Sequence, residues 1–369
     1  MTVDLLITAF ASHTLSLQRV GAKLGNNVDS YLVEIEDEVN KVFVYYKNKN
    51  LTTKRIRKIE QQINEIVKEK LKSYTSQLKV EHKKVGKEEI AFSVSILNSV
   101  IESGNIKFAS PSSAQVSAAA VASPIKLGKN SYVTYTNMMT QYWQKWTAET
   151  DAIVKQGFLE GGTVQDIQLR VMQSFGLEGP KSKTVLSRAK RSARSIAITG
   201  TNHYANQSRV MFADSNDETL KGFRFISVMD SRTSTQCRAL DQRVITENVS
   251  KFTPPLHPNC RSALIYEIAD KYKIDDSDSK RPSNFVVDGA SDTKKVSSDS
   301  TYYNNLKKLN AKDQDLVLGP TLGKAFRKMD NPDKFAKLTI DSLNNPLTIT
   351  QMKQKDNELA RILRAQASG

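Results

Sequence analysis

Apolar residues recur every three or four positions through much of the amino-terminal hundred residues. Ile56, Ile59, Ile63, Val67, Leu71, Tyr74 and Leu78 form one such series between charged residues, which predicts a long amphipathic helix. Leu15 to Phe43 carries the same spacing, so the two segments are expected to pair as an antiparallel helical hairpin. The pattern then stops. From Ala109 to Pro124 the chain reads ASPSSAQVSAAAVASP, with no charge, no apolar residue larger than valine, and prolines at either end, which predicts a linker. Helical spacing returns with Tyr142, Trp143, Trp146, Ile153, Val154 and Phe158. Gly161-Gly162 predicts a stop, and Thr163 a cap for a helix whose apolar face is Ile167, Val171 and Phe175. From Thr184 a long helix rich in Ala, Ser and Arg is expected.

After Gly222 the period changes to two. Phe223, Phe225 and Val228 predict a strand running into Asp230, and Ala263 to Tyr266 a second short strand. A polar, Asp- and Ser-rich stretch follows as far as Ser300. The tail holds helical signals at Leu316 to Phe326 and Met352 to Leu363, separated by Asn331-Pro332 and Asn345-Pro346. The expectation is an α+β protein, mostly helical, with a small β-containing module around the Asp230 to Arg261 motif. Five segments are predicted: a helical domain over 1–108, a Ser/Ala/Pro linker over 109–130, a module over 131–270, a polar connection over 271–300 and a tail with short helices over 301–369.

Composition narrows the class. The chain has 369 residues, 39% hydrophobic and 25% charged, too apolar for a disordered protein and long enough for two or three domains. Two cysteines, Cys237 and Cys260, exclude a disulfide framework and point to a reducing compartment. No apolar run reaches the length needed to span a bilayer, and the start of the chain lacks the basic region of a secretory leader, so neither export nor membrane insertion is expected. The 54 Lys and Arg outweigh the 39 Asp and Glu to leave a net charge of +15. Such a surface attracts polyanions without specifying a sequence. Its densest basic stretch, uninterrupted by acids, is Lys181, Lys183, Arg188, Lys190, Arg191 and Arg194, a candidate nucleic-acid contact.

The chemistry concentrates in DSRTSTQCRALDQRVITENVSKFTPPLHPNCRS, which starts at Asp230 and holds both cysteines and one of four histidines. One reading is a metal site, because His257-x-x-Cys260 with Cys237 offers three ligands, one short of a structural zinc and the number a catalytic zinc uses. Asp230, Asp241 or Glu247 would then supply a base. A second is a thiol enzyme with His257 as base, although neither cysteine sits in a nucleophile context. The third, preferred, is a loop clasp: Asp230 caps a turn and pairs with Arg232, while Pro254, Pro255 and Pro258 stiffen a loop that brings Cys260 to Cys237.

The runs DSRTSTQC, ALDQRV and PPLHPNCRS resemble the signature of the Mu F-like phage minor head proteins, the phage head morphogenesis family. The matching positions are Asp230, Arg232, Thr233, Cys237, Leu240, Asp241, Pro254, Pro255, His257, Pro258, Cys260 and Arg261. Upstream, Ile196, Ala197, Thr199, Ala205 and Asn206 are similar to a helix of that family, and LGPTLGKAFRKM and NPLTITQM resemble its tails. Ser234 and Ser262 stand where many relatives have cysteine, and Gln242 where they have glycine. If the family's cysteines hold zinc in some members, these departures imply lost ligands and leave the motif as a clasp without cofactor.

The resemblance implies a minor capsid protein of a tailed bacteriophage. It would act structurally at the portal vertex or inner head during assembly, DNA packaging or delivery, after a stage in the host cytoplasm. Its partners would be the portal protein, other head proteins and packaged DNA, with no membrane during assembly. The amino-terminal helices would dock on the portal or on other copies. The alternative is a metal-dependent hydrolase or nuclease using Cys237, His257 and Cys260.

Overall fold

The computed structural model describes residues 2–101, 106–129, 131–160, 163–176, 183–272, 280–283, 285 and 294–366. Helices α1 (Thr2–Asn26), α2 (Val28–Tyr46), α3 (Thr53–Val100) and α4 (Ser113–Ala122) lead into a hairpin of β1 (Pro124–Gly128) and β2 (Ser131–Thr134). Then come α5 (Tyr135–Leu159), α6 (Val164–Phe175) and α7 (Val185–Asp214). Strand β3 (Leu220–Ile226), helix α8 (Thr235–Leu240), β4 (Val244–Ile245) and β5 (Ala263–Ile268) form the motif region. A second hairpin, β6 (Lys280–Ser283) and β7 (Lys294–Ser297), precedes six short helices. These are α9 (Tyr302–Lys307), α10 (Ala311–Leu318), α11 (Pro320–Lys328), α12 (Pro332–Leu338), α13 (Ile349–Lys355) and α14 (Asn357–Ala365). Helix makes up 67% of the described residues and every described sheet is small and antiparallel, so the α+β, mostly helical expectation holds.

Apolar periodicity explains the long helices. In α3 the buried positions run Ile59, Ile63, Val67, Leu71, Tyr74 and Leu78, the predicted face, and continue through Val85, Ile90 and Leu97. Thr52 accepts a hydrogen bond from the Arg55 N–H and starts the helix. Thr163 caps α6 as predicted, in a reciprocal capping box with Asp166.

Three apolar cores hold the chain together. The first gathers α2, the first half of α3, α5, α6 and most of α7. The second joins α1, the second half of α3 and the end of α7 to the sheet ordered β4-β3-β5. The third belongs to the tail and takes in Met229 and Phe285. Because α3 and α7 each run through the first two cores, the 1–108 helices do not form a domain apart from the 131–270 module. An amphipathic helix this long cannot bury its stripe in one short hairpin, and α7 supplies the missing partner.

The 109–130 segment is not a linker. Ser112 and Gln115 form a capping box for α4, which lays Val116 and Ala120 into the core, and Ile125 of β1 is fully buried. Alanine and serine, read as low complexity, are small residues that let α4 seat closely against α7. The polar connection also folds in part: buried Arg281 of β6 donates to Asp241 at 2.5 and 3.0 Å. In the tail, Gly319 and Pro320 split the predicted Leu316 to Phe326 helix into α10 and α11.

Helices α1 and α7 cross at very short range. A Cβ on Gly25 would lie 2.5 Å from the Arg194 Cα, and one on Gly21 would lie 2.9 Å from the Ile198 Cα. Two glycines four apart thus face two backbone positions four apart. Gly25→Leu is expected to lose about 1–3 kcal/mol of stability through overpacking, read as a lower urea midpoint. Gly128→Ala, whose Cβ meets nothing closer than 3.6 Å, should stay near wild type.

Candidate functional site

The sheet register decides where the motif residues meet. Ile226 at the end of β3 pairs with Ala263 at the start of β5. The chain leaving β3 therefore runs beside the chain entering β5, and Asp230 lies next to Arg261. Both Arg261 terminal nitrogens donate to the two Asp230 carboxylate oxygens, one of them at 2.5 Å. The carboxylate is 7% exposed and the guanidinium 15%. Asp230 also accepts from the Arg232 N–H at 3.0 Å and from the Thr233 hydroxyl at 3.3 Å, and its carbonyl accepts from Tyr302 at 2.6 Å. The expected pair with Arg232 also forms, at 3.4 Å, but its guanidinium is 80% exposed, so the buried Arg261 is the stronger partner. Burial alone would raise the Asp230 carboxyl, but hydrogen bonds and charge from Arg261 outweigh it and hold the group below the ordinary carboxylate value.

A second cluster sits behind this pair. Ser234 caps α8 and places Cys237 in its first turn. The hook Leu256–Arg261 brings Cys260 to 3.7 Å from Cys237, sulfur to sulfur, and His257 Nε2 to 3.3 Å from the Cys237 sulfur. His257 Nε2 is also 2.8 Å from the Ser234 hydroxyl. The Nδ1 side faces the Pro258 carbonyl at 2.8 Å; since a carbonyl only accepts, Nδ1 carries the proton and Nε2 presents its lone pair to the sulfurs. Both thiols are free and buried. Burial pushes the Cys237 thiol well up. Cys260 feels the same burial, but the hydrogen bond from Cys237 and the adjoining His257 outweigh it and hold that thiol well below its usual value.

Helix α7 holds the hook by its backbone. Ser195 accepts from the Asn259 amide at 3.0 Å, and Thr199 accepts from the Asn259 N–H at 3.0 Å. Asn202 donates to the Ser262 carbonyl at 2.9 Å, and Asn206 accepts from the Leu264 N–H at 2.9 Å. Arg209 donates to the Leu264 carbonyl at 3.2 Å. These five residues are spaced four, three, four and three apart, one face of the helix, so a single polar stripe holds Asn259, Ser262 and Leu264 along the chain that enters β5. Thr199 and Asn206 were legible as motif residues; the stripe itself could have been found from its helical spacing. Asn259, with φ 57°, bends the chain toward that stripe.

The expected site residues thus fall into three groups. Asp230, Arg232, Thr233 and Arg261 form the clasp; Cys237, His257 and Cys260 form the thiol-imidazole cluster. Asp241 does neither: fully buried, it accepts from Ser227 N–H and hydroxyl at 2.8 and 2.9 Å and binds Arg281. Arg281 and Tyr302 carried no signal in the sequence, since each acquires its partner only when chain beyond β5 folds back on the motif.

The basic stretch is less free than it reads in one dimension. Arg188 pairs with Glu149 of α5 at 2.7 Å and lies over the Trp146 ring, and Lys190 pairs with Asp29 of α2 at 2.6 Å. Lys183, Arg191 and Arg194 are exposed, and Lys181 lies outside the described residues. Arg19 of α1 joins Arg194, Arg232, Arg261 and His257 around one open cleft.

Fold and site together define a mostly helical protein whose dense polar chemistry is consumed in locking a loop between a helix and a small sheet. Residues 149–265 match the family model described as Phage Mu protein F like protein, so this segment is similar to the Mu F-like phage head proteins. The match runs from α5 into β5, and so contains the α7 stripe, the clasp and the thiol-imidazole cluster. Comparison with curated proteins and with solved structures gives no match. No described helix is long and apolar enough to cross a membrane.

Proposed function

We infer that this chain is a minor capsid protein of a tailed bacteriophage, acting structurally at the portal vertex or inner head in assembly, packaging or DNA delivery. The observation that carries the reading is the Mu F-like match, which coincides with a module built for rigidity. The amino-terminal helices share cores with that module, so a portal or neighbouring copy docking on α1 to α3 would engage the whole body. The reading is structural because the carboxylates near the cysteines are already committed, Asp230 to Arg261 and Asp241 to Arg281. Among the described residues, no carboxylate joins the Cys237, His257 and Cys260 cluster as a base for a hydrolase or nuclease.

Mass-spectrometric composition and cryo-electron microscopy of purified particles test this. A few copies per particle at the portal vertex are expected, and particles lacking the chain would overturn the reading. Contact with packaged DNA is part of the proposal, supported by the net charge of +15 and the cleft of arginines. Binding to duplex DNA is expected to weaken with salt at a log-log slope of about −0.9 per phosphate contacted. Arg19→Glu with Arg194→Glu should flatten that slope. No affinity at low salt would remove DNA from the list of partners.

A further inference from the structure

The geometry points to a tetrahedral metal site in this protein, formed by Cys237 Sγ, Cys260 Sγ and His257 Nε2, that takes zinc or a similar thiophilic divalent ion. The inference rests on distances and holds whether or not the chain is a portal component. In tetrahedral zinc sites, bond lengths of about 2.3 Å to sulfur and about 2.0–2.1 Å to nitrogen place two sulfurs about 3.8 Å apart and sulfur from nitrogen about 3.6 Å. Here the two sulfurs are 3.7 Å apart and the Cys237 sulfur is 3.3 Å from Nε2. All three ligand atoms lie within 4.8 Å of one another. A common ion at the centre of the triangle accounts for the convergence of both thiols and the imidazole nitrogen.

The surroundings prepare the same role. The Pro258 carbonyl fixes the proton on Nδ1, which leaves Nε2 as the ligand atom and sets the ring plane, as outer partners of ligating histidines do. Rigid supports hold each ligand: Cys237 lies in a capped helical turn, Cys260 and His257 on the hook held by α7. The fourth corner falls beside Ser234, whose hydroxyl is 2.8 Å from Nε2, and the cleft that Ser234 and His257 line gives an ion a way in from solvent. Ser234 or a water completes the coordination. Binding releases to solvent whatever protons the two sulfurs carry and changes no oxidation state. The ion would tie α8 to the hook and reinforce the Asp230 to Arg261 clasp one residue beyond Cys260.

The test uses the full chain, stripped of metal and kept under a thiol reductant, then titrated with Co²⁺ and separately with Zn²⁺. Expected are one equivalent of Co²⁺ with thiolate-to-cobalt charge transfer and tetrahedral ligand-field bands, displacement by Zn²⁺, and a higher melting temperature in excess Zn²⁺. Cys260→Ser and His257→Ala should each weaken binding more than tenfold. Ser234→Cys, which adds a third thiolate, should strengthen it at least tenfold. Protection of both cysteines from alkylation by Zn²⁺ gives a readout that needs no variant. Absence of the charge-transfer band in folded wild-type protein overturns the proposal. So does a Cys237–Cys260 disulfide that forms in preference to the metal complex under reductant.

Discussion

Glu89→Ala is expected to lower the unfolding free energy by about 3–5 kcal/mol, the cost of leaving a buried charge without its partner. Glu89 on α3 receives Arg209 Nε of α7 at 2.7 Å and faces His13 Nε2 of α1 at 2.8 Å, and both members of the Glu89 and Arg209 pair are wholly buried. Arg209 also reaches the Leu264 carbonyl of β5 at 3.2 Å and stands over the Phe10 ring at 4.8 Å. Three helices and a strand therefore meet at one charge. Truncating the acid strands the guanidinium, fully buried, with a single carbonyl acceptor. Urea unfolding followed by circular dichroism measures the loss. The double variant Glu89→Leu with Arg209→Met should recover part of it, since an apolar pair leaves no orphaned charge. A single-variant loss under about 1 kcal/mol would contradict the role assigned to the pair.

Arg261→Ala should cost about 3 kcal/mol and free the hook, because the Asp230 carboxylate keeps its backbone donor but loses both guanidinium bonds. Arg261→Lys should fall between, as an ammonium cannot span both oxygens. Loss of the hook is separable from global unfolding through the cysteines. Both are buried in the wild type, and alkylation should accelerate more than tenfold in the variant while helical content persists. The acid limb has a definite sign. Since Asp230 is held below the ordinary carboxylate value when folded, its contribution is complete above the unfolded value of about 3.9 and is lost as pH falls through the lower folded value. The wild type should therefore lose stability below about pH 4 more steeply than Arg261→Ala, whose carboxylate lacks the guanidinium that depresses it.

Elements with strong local signals were legible in advance. The apolar face of α3, the Thr163 cap, the length of α7 and the strands beginning near Phe223 and Ala263 all follow from spacing and capping that involve only near neighbours. The motif residues Asp230, His257, Cys260 and Arg261 were also legible, although the sequence pointed to Arg232 alone as the partner of Asp230 and the structure adds the more buried Arg261. Proximity in sequence favoured Arg232, whereas the β3 and β5 register brings Arg261 across thirty-one positions. The α4 segment was misread for a related reason. Its small residues carry little helical amphipathicity, so their helix becomes evident only against the close face of α7.

The sequence by itself determined the helical stripes, the caps, the two motif strands, the basic balance and the presence of a Mu F-like signature, because each depends on residue type and local spacing. Tertiary structure alone decided that α3 and α7 join two cores, that Glu149 and Asp29 neutralise part of the basic stretch, and that Arg281 claims Asp241. It also decided that Cys237, His257 and Cys260 converge at metal-binding distances. A charge or a thiol reveals what it can bind, but its actual partner is set by which chain segments the burial of apolar surface brings together.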